Sequence, residues 1–309
     1  MRILITGGAG YIGSILTPTL LQNHQVTVLD NFYYNQHSLL ECCYNKNLTI
    51  IDNDVRNENI IKDLVRNNDI IIPLAAVVGA EACDKDATAA RTINYKAIKL
   101  ILKYKSQSQW ILYPNTNSGY GVGEDSIFCT EETPLKPISL YGKIKTMSEE
   151  IVMENENSIT FRLATVFGAS PRMRIDLMVN DFTYRAIFDK YIVLFEPHFK
   201  RNFVHVRDVA NAFLYSINNF DKMKNQVYNL GLSNANLNKI ELTEKIKEYV
   251  PDFNVFLSEF NKDTDKRNYI VSNEKIESTG FIFKNSLDDG IQELIKGYKI
   301  IKNNMFTNL

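Results

Sequence analysis

The chain has 309 residues, of which 45% are hydrophobic and 23% charged, and its formal net charge at pH 7 is −1. These values are typical of an ordinary globular protein with room for a sizeable core, in one large domain or two modest ones. They argue against a general binder of nucleic acids or membrane surfaces, because such proteins carry a basic excess.

The first predicted element is a short buried strand, residues 3–5, that runs directly into a glycine-rich turn at residues 7–13. Apolar residues recur at helical spacing beyond the turn, so the order is strand, turn, helix. The turn suits a pyrophosphate, because its free N–H groups point at the anion and the helix dipole adds a favourable field. The predicted cofactor contacts here are Gly7, Gly10, Tyr11, Ile12 and Gly13. The alternative is a tight turn that binds nothing.

A kinase-type phosphate loop is excluded, since Ser14 and Ile15 stand where Lys and Ser or Thr are required.

A second predicted strand, residues 25–29, ends in Asp30. An acidic group about 20 residues after the turn accepts hydrogen bonds from the adenosine ribose hydroxyls. The carboxylate also repels a 2′-phosphate, and Asn31 beside it offers no positive charge to hold one. NAD is therefore favoured over NADP as the cofactor.

Short β-branched runs alternate with longer amphipathic stretches through the first half of the chain. Further strands are predicted at residues 48–51, 70–72, 110–113 and 159–163, and helices at 89–103 and 139–153. Strands that are apolar throughout suit a parallel sheet covered on both faces. The alternation predicts an α/β fold with a Rossmann-type, doubly wound parallel sheet.

The regular alternation of predicted strands and helices ends after about residue 166. A helix is predicted at residues 175–189. We expect residues 1–165 to form the NAD-binding Rossmann domain, with a return segment at about residues 203–226. Residues 166–202 and 227–309 are expected to form a smaller, mixed α/β domain that binds the substrate.

Tyr141 and Lys145 are four residues apart in a predicted helix, so they share one face. A tyrosine has a pKa of about 10, which is too high for a base at neutral pH. Lowering it by roughly three units takes about 4 kcal/mol, which a nearby ammonium and the positive nicotinamide ring can supply. The phenolate would then remove a hydroxyl proton while hydride leaves the same carbon. The alternative is a surface pair.

These residues, together with several motifs, resemble the extended short-chain dehydrogenase/reductases, and more narrowly the NAD-dependent nucleotide-sugar epimerases and dehydratases. The early motifs are Thr6-Gly7-x-x-Gly10-x-x-Gly13, Asp30, Asp54-Val55-Arg56, Leu74-Ala75-Ala76, Asn94, Tyr120-Gly121 and Tyr141-x-x-x-Lys145. The late motifs are the run from Arg201 to Asp208 and Asp265-x-Arg267. The match therefore covers nearly the whole chain.

The resemblance implies roles for individual residues. Thr116 supplies a hydroxyl that hydrogen-bonds the reacting sugar hydroxyl, so Thr116, Tyr141 and Lys145 form the catalytic set. Asp54 and Val55 meet the adenine, although Asp54 has the alternative of capping a turn. Ala75 with Lys145 meets the nicotinamide ribose. The remaining cofactor positions implied are Leu74, Ala76 and Asn94.

Two departures from the family's pattern bear on the reaction. Members that remove water from the sugar carry Asp-Glu directly after the threonine, because elimination needs an acid and a base at adjacent carbons. Asn117 and Ser118 stand there and cannot do that work, so a 4,6-dehydratase is disfavoured. Thr165 stands where asparagine is usual.

The irregular second half carries arginines suited to a substrate diphosphate, because a guanidinium binds phosphate through two parallel hydrogen bonds. Arg201 and Arg267 match the family's motifs best. Arg172 and Arg174 have the alternative of being solvated surface residues. The substrate contacts expected are Asn117, Thr165, Arg172, Arg174, Asn180, Arg201 and Arg267.

The leading hypothesis is NAD-dependent oxidation at C4 of a nucleotide sugar, with release of a 4-keto sugar. Segments 114–121 and 170–174 resemble dehydrogenases that act on GDP-linked manno-heptose in the synthesis of capsular or surface polysaccharide. A C4 epimerase is the alternative, and a noncatalytic NAD-sensing regulator is a remote one.

The histidines and the four cysteines show no metal-ligand spacing, so no metal is predicted. Few cysteines and no signal peptide or apolar span indicate a cytoplasmic protein without nucleic-acid or membrane partners. The resemblance implies a homodimer formed by packing two helices from each chain. Its candidate core or interface residues are Ile98, Ile101, Leu102, Ile144, Met147 and Ile151.

Overall fold

The structure is a computed structural model that describes residues 1–124, 126–258 and 267–301. In chain order the strands are β1 (Arg2–Thr6), β2 (Gln25–Asp30), β3 (Leu48–Asp52), β4 (Ile70–Pro73), β5 (Trp110–Thr116), β6 (Phe128–Cys129), β7 (Ser158–Leu163), β8 (Thr165–Phe167), β9 (Tyr191–Phe195), β10 (Arg201–His205), β11 (Gln226–Leu230), β12 (Asn236–Leu237), β13 (Asn254–Ser258) and β14 (Ile270–Val271).

The helices are α1 (Gly13–Leu21), α2 (Glu58–Arg66), α3 (Ala80–Lys85), α4 (Ala87–Arg91), α5 (Ala97–Tyr104), α6 (Leu140–Met153), α7 (Met178–Phe188), α8 (Val206–Asn218), α9 (Phe220–Met223), α10 (Lys239–Lys247), α11 (Glu274–Ser278) and α12 (Leu287–Tyr298). Short 3₁₀ segments cover Leu40–Cys42 and Asn117–Tyr120. Within the described residues, no helix is long and apolar enough to cross a membrane.

The main sheet has seven parallel strands in the order β11-β7-β5-β4-β1-β2-β3. Successive side chains of a strand point to opposite faces, and both faces of this sheet are covered. Ile3 and Ile5 of β1 belong to the core that includes α1 and α8. Leu4 belongs to a second core with residues of α2, α5 and α6. The predicted Rossmann-type, doubly wound fold is confirmed.

The strand order reverses direction at β1, since the chain adds β2 and β3 on one side and then β4 and β5 on the other. Loops that leave the carboxyl ends of such strands diverge at this point and leave a crevice, which is where ligands bind in open α/β sheets. The glycine turn, the loop after β4 and the end of β5 all lie at this edge.

Outside the main sheet, the described part of the chain forms three small sheets, β12-β10-β8, β13-β9 and β14-β6. The expected return segment at about residues 203–226 is wrong in detail. The strand β10 pairs in parallel with β8 and not with the main sheet. The strand that returns is β11, which pairs with β7 along its whole length and ends at residue 230.

The helix predicted at residues 89–103 is interrupted by a π-helical turn over Thr92–Lys96. The Asn94 carbonyl in this turn accepts a hydrogen bond of 2.8 Å from the Ser148 hydroxyl on α6. The two residues of this contact are far apart in the sequence, so the helical spacing of apolar residues alone could not predict the contact. The helix expected at residues 175–189 is confirmed in shorter form as α7.

Candidate active site

The glycine turn after β1 has a shape that only glycine permits at two positions. Gly7 has φ +72°, and a Cβ there would lie 2.6 Å from the backbone nitrogen of Ala75. A Cβ on Gly13 would lie 2.5 Å from the Gly8 carbonyl oxygen. The first glycine therefore brings the loop after β4 against the turn, and the other lets α1 begin directly upon it.

The N-terminus of α1 faces the crevice with the donors that an anion needs. Among the described residues no side chain caps this helix, and Gly10 is half-exposed. Tyr11 and Gly13 are buried and Ile12 is half-buried, so these positions can offer mainly their backbone N–H groups. The cradle fits the pyrophosphate of a dinucleotide.

Asp30 lies at the end of β2 beside this turn, with 8% of its surface exposed. Its carboxylate accepts hydrogen bonds from the backbone nitrogens of Ala9 at 3.0 Å and Phe32 at 2.9 Å. Burial raises its pKa, against the effect of these hydrogen bonds. The carboxylate is thus fixed at the edge of the crevice where an adenosine ribose would lie.

The two motif residues after β3 lie one strand further along. The Asp54 carboxylate accepts two hydrogen bonds from the Arg56 guanidinium, at 2.8 and 2.7 Å, and a hydrogen bond with Asn31 also lowers its pKa. Val55 is buried in the core below. Asp54 thus contacts Asn31, the residue after Asp30, and also pairs with Arg56. The structure is compatible both with an adenine contact of Asp54 and with the capping of a turn.

The loop after β4 carries Leu74, Ala75 and Ala76, all of them half-buried. The backbone nitrogen of Leu74 donates to the Thr6 carbonyl oxygen at 2.9 Å, which continues the β1–β4 ladder. Asn94 has 2% of its surface exposed, and its side chain bonds both the N–H and the carbonyl of Val77, each at 2.8 Å. In this structure Asn94 supports the loop rather than facing the crevice itself.

The three candidate catalytic residues lie where β5 ends and α6 begins. The Thr116 hydroxyl lies 3.0 Å from the Ser118 hydroxyl and also interacts with the phenol of Tyr141. Ser139 caps α6 by accepting from the Gly142 nitrogen at 3.1 Å, so the helix presents Tyr141 in its first turn. The structure therefore brings Thr116 and Tyr141 together.

Lys145 lies one turn further along α6 and has 5% of its surface exposed. Its ammonium donates to the Pro114 carbonyl oxygen at 2.5 Å and lies 4.1 Å from the centre of the Tyr113 ring. Lys145 thus binds the strand that carries Thr116, on the same helix face as Tyr141.

Burial dominates the protonation of this pair. It raises the pKa of Tyr141 to about 12, with a further increase from Cys83, while Arg174, Arg267 and the contact with Thr116 lower it. Burial lowers the pKa of Lys145 to about 7, against the carboxylate of Glu149. In this structure Arg174, Arg267 and Thr116 thus lower the pKa of Tyr141, and an effect of Lys145 stays a prediction.

Comparison with known proteins identifies the family. The sequence pattern described as "NAD dependent epimerase/dehydratase family" matches residues 3–231. The chain belongs to this family. It is accordingly an NAD-dependent enzyme of nucleotide-sugar chemistry, and NAD is its cofactor.

Individual relatives of this epimerase/dehydratase resemble it over nearly their whole length. The low-salt glycan biosynthesis protein Agl12 of Haloferax volcanii is 26% identical over 96% of this chain and 98% of its own. A dTDP-glucose 4,6-dehydratase of Streptomyces niveus is 23% identical, covering 97% and 93%. The solved UDP-glucuronic acid 4-epimerase of Bacillus cereus, in complex with UDP-glucuronic acid and NAD, has a TM-score of 0.86 at 21% identity, covering 97% and 100%.

The four arginines predicted to contact the substrate lie at two places in the structure. Arg267 donates to the Ser118 hydroxyl, and Arg201 donates to the backbone carbonyl of Arg267 and lies 5.6 Å from the centre of the Tyr269 ring. Both therefore adjoin the Thr116 end of the crevice. Asp265, the other member of the expected late motif, lies outside the described residues.

Arg174 and Arg172 are buried, so the alternative of solvated surface arginines is wrong for both. Arg174 pairs with Asp176 through hydrogen bonds of 2.5 and 3.3 Å, and its charge acts on Tyr141. Arg172 lies against Tyr34, on the cofactor side, with its guanidinium carbon 4.1 Å from the ring centre. A contact of Arg172 with the substrate stays a prediction.

Three further expected substrate residues differ in exposure. Asn180 is fully buried, and its side chain bonds Gly168, Arg174 and Tyr11, so in this structure it holds the chain after β8 in place. Thr165 is half-buried at the start of β8. Asn117 has 1% of its surface exposed, and its side-chain atoms have no hydrogen-bond partner among the described residues. An orphaned amide beside Thr116 is consistent with a ligand contact.

Sequence reasoning missed a buried ionic network below Thr116. Glu149 on α6 accepts from the Asn115 amide and from the Arg162 guanidinium, the latter at 2.7 Å. Arg162 also donates to the Tyr120 hydroxyl at 3.0 Å. The one sequence signal was a glutamate at helical spacing from Lys145. Among the described residues, no group of three His, Cys, Asp or Glu side chains could hold a metal ion.

Proposed function

We propose that this enzyme oxidises C4 of a nucleotide-diphosphate sugar with NAD and releases a 4-keto sugar. The substrate proposed is GDP-manno-heptose, in the biosynthesis of capsular or surface polysaccharide. The single observation that carries the C4 chemistry is the convergence of Thr116, Tyr141 and Lys145 at the end of β5. The choice of sugar rests on the resemblance of segments 114–121 and 170–174.

Each catalytic side chain has a separate task in the proposed reaction. When bound, NAD would supply the acceptor for the hydride that leaves C4. Thr116 orients the C4 hydroxyl by hydrogen bonding, and Tyr141 removes its proton. The charges of Arg174 and Arg267 support the phenolate that this requires, because each lowers the pKa of Tyr141. Lys145 orients the nicotinamide ribose, for which its fixed position on Pro114 suits it.

Elimination of water from the sugar is not part of the proposal. Asn117 has no proton to exchange near neutral pH, and the Ser118 hydroxyl is held by Thr116 and Arg267. The family resemblance implies Asp-Glu directly after the threonine in members that remove water, whereas this chain has Asn117 and Ser118 there. This comparison supports oxidation without dehydration.

A C4 epimerase is the second candidate, supported by relatives such as the putative UDP-glucose 4-epimerase of Methanocaldococcus jannaschii, which is 23% identical over 96% of this chain. An epimerase shares the first half of the reaction and returns the hydride to the other face of the sugar. The same three residues serve both reactions.

Mass spectrometry of a nucleotide-sugar panel tests the proposal. GDP-manno-heptose, GDP-mannose, UDP-glucose and dTDP-glucose are each incubated with stoichiometric enzyme and excess NAD. Loss of two hydrogens from GDP-manno-heptose, with NADH formed in equal amount, supports the proposal. An unchanged mass with a changed sugar configuration supports the epimerase, and loss of water contradicts both. The Tyr141→Phe variant is the control for enzyme-dependent chemistry.

We also propose a cytoplasmic homodimer in which α5 and α6 pack against their counterparts. The four cysteines are free, as in a reducing compartment. Ile98, Ile101 and Ile144 belong to the core of the single chain, whereas Met147 is 42% exposed on α6. Met147→Glu should shift the mass measured by light scattering from dimer to monomer. A wild-type monomer at micromolar concentration contradicts this proposal.

A further inference from the structure

The 3₁₀ turn that follows β5 brings the hydroxyls of Thr116 and Ser118 together. Their oxygens lie 3.0 Å apart, and the backbone nitrogen of Ser118 donates to the Thr116 hydroxyl oxygen at 3.1 Å, because Thr116 caps this turn. Ser118 has 1% of its surface exposed. The first turn of α6 packs against it, since a Cβ on Gly142 would lie 3.0 Å from the Ser118 carbonyl oxygen. Ser118 thus lies against both the end of β5 and the helix turn that carries Tyr141.

The Arg267 guanidinium fixes the direction of the hydrogen bond between these two hydroxyls. A guanidinium can only donate, so the Ser118 hydroxyl oxygen is the acceptor in its bond with Arg267. The proton of the Ser118 hydroxyl needs an acceptor of its own, because the group is buried. Among the described residues, the acceptor within hydrogen-bond distance of this hydroxyl is the Thr116 hydroxyl oxygen. Ser118 consequently donates to Thr116.

The Thr116 hydroxyl oxygen therefore accepts twice, from the nitrogen and from the hydroxyl of Ser118. A hydroxyl has two acceptor lone pairs and one proton, so both lone pairs are occupied and only the proton is left for a further bond. The contact of Thr116 with Tyr141 lowers the pKa of that phenol, as a hydrogen bond donated to its oxygen does. The series of bonds thus runs in one direction, from Arg267 through Ser118 to Thr116 and on to the crevice.

The donor at the start of this series is held in place by its own backbone. Arg201 donates to the backbone carbonyl of Arg267. The carbonyl oxygen of the next residue, Asn268, accepts from the Gly123 nitrogen at 2.7 Å. Gly123 follows the 3₁₀ turn by a few residues, so the segment that carries Arg267 is joined to the same loop as Ser118.

We infer that Ser118 is a positioning residue that makes Thr116 a hydrogen-bond donor toward the sugar hydroxyl that reacts. The inference rests on the proposed oxidation at C4. Because both lone pairs of Thr116 are occupied, the C4 hydroxyl oxygen can only accept from Thr116, and its own proton is then directed to Tyr141, the group that removes it. Without the Ser118 hydroxyl, Thr116 can also accept from the sugar, and that orientation turns the proton away from the base.

A double-mutant cycle tests whether Ser118 acts through Thr116. Ser118→Ala, Thr116→Ala and the double variant are assayed with the nucleotide sugar that the wild type oxidises. Ser118→Ala should lower kcat about tenfold and leave KM and NADH affinity within about threefold of wild type. The double variant should be no slower than Thr116→Ala alone. Ser216→Ala, which removes a buried hydroxyl bonded to the Phe213 carbonyl oxygen on α8, is the matched control and should keep the wild-type kcat.

A second readout needs no substrate. Tyr141 is replaced by a trifluorotyrosine, whose phenol ionises at a lower pH than that of tyrosine, and fluorine nuclear magnetic resonance follows this phenol in the NAD complex. Ser118→Ala should raise the pKa of the phenol by about one pH unit, since Thr116 then no longer has to donate to it. Ser216→Ala should leave this pKa unchanged.

A wild-type kcat in Ser118→Ala, or losses that simply add in the double variant, overturn the inference. So does an unchanged phenol pKa in a Ser118→Ala variant whose circular dichroism and melting temperature show that it is folded. A wild-type enzyme that oxidises no nucleotide sugar contradicts the proposed function instead, and the titration of the phenol then still decides the direction of the Thr116 hydrogen bond. The two failures are therefore distinguishable.

Discussion

The ammonium of Lys145 on α6 and the carbonyl oxygen of Pro114 in β5 are joined by a hydrogen bond of 2.5 Å. The bond ties the helix that carries Tyr141 to the strand that ends in Thr116, two residues after Pro114. Burial of the same ammonium lowers its pKa to about 7. Lys145 is therefore both the link between the two halves of the catalytic set and a group that changes charge near neutral pH.

The low pKa of Lys145 predicts that this side chain titrates near pH 7, whereas an ordinary lysine titrates near 10.4. In a protein labelled with ¹³C at lysine Cε, nuclear magnetic resonance should show a signal from Lys145 that titrates there. Lys145→Arg should remove it, and Lys143→Arg, at an exposed position, should leave it in place. Glu149→Gln should move it to lower pH, because the Glu149 carboxylate raises this pKa. Titration of every lysine above pH 9 contradicts the assignment.

The Tyr141→Phe substitution tests the base. Removing a general base that touches the substrate lowers the rate about 10²- to 10⁴-fold. We expect kcat to fall by this amount while NADH affinity stays within about twofold of wild type. Tyr104→Phe is the matched control, since the Tyr104 hydroxyl bonds Glu58 at the surface. Full turnover by Tyr141→Phe would remove Tyr141 from the mechanism.

The buried pair of Glu149 and Arg162 predicts an asymmetric response to mutation. Both residues are at most 6% exposed, so removing one partner leaves an uncompensated charge in the core. Arg162→Met should lower the free energy of unfolding by about 3–5 kcal/mol in urea titrations. The double variant Arg162→Met with Glu149→Met should lose less than Arg162→Met alone, because no charge is then stranded. An equal or larger loss in the double variant contradicts this account.

Glu293 on α12 predicts a pH-dependent contribution to stability. It accepts hydrogen bonds from the Ala169 nitrogen and the Arg207 guanidinium, at 3.1 and 2.9 Å, and lies 2.7 Å from the His205 ring nitrogen. These partners lower its pKa from the usual 4.5 to about 2, although burial opposes them. Because the folded-state pKa is the lower one, the stabilisation is complete above pH 4.5 and is lost as the pH falls toward 2.

The Glu293→Gln variant should therefore lose about 2 kcal/mol of unfolding free energy at pH 7, after allowance for its partial exposure. The difference from wild type should shrink steadily between pH 4.5 and 2.5 in urea titrations. Glu248→Gln, which breaks an exposed pair with Lys245, should change little at either pH. A difference that stays constant with pH would show that the ion pairs do not contribute.

The local features of the fold could be predicted because they rest on neighbouring residues. Continuous apolar runs indicate parallel strands, and the glycine turn and Tyr141-x-x-x-Lys145 are short motifs. The predictions that failed concern contacts between residues that are distant in the sequence. The short strand β8 pairs with β10, about 40 residues away in the sequence, so local patterns could not predict the β12-β10-β8 sheet. Arg172 and Arg174 look alike in sequence, but in the structure Arg172 lies against Tyr34 and Arg174 pairs with Asp176.

Charge states were the least predictable part of the site. The sequence shows that Lys145 is near Tyr141, but not how far desolvation acts on each side chain, which raises the pKa of Tyr141 and lowers that of Lys145. Asn180 shows the same limit, because the family resemblance implied a contact of its side chain with the substrate diphosphate. Its amide is instead consumed by Gly168, Arg174 and Tyr11.

The late return of β11 to the main sheet has a consequence for synthesis of the chain. The ribosome completes β7 roughly 60 residues before β11, an interval of about 3–12 s at ordinary translation rates of 5–20 residues per second. During that interval the outer edge of β7 has no neighbour, although it is fully buried in the finished protein. An open, apolar strand edge pairs readily with other nascent chains. Pairing of β11 with β7 thus ends the interval in which this edge is open to other nascent chains.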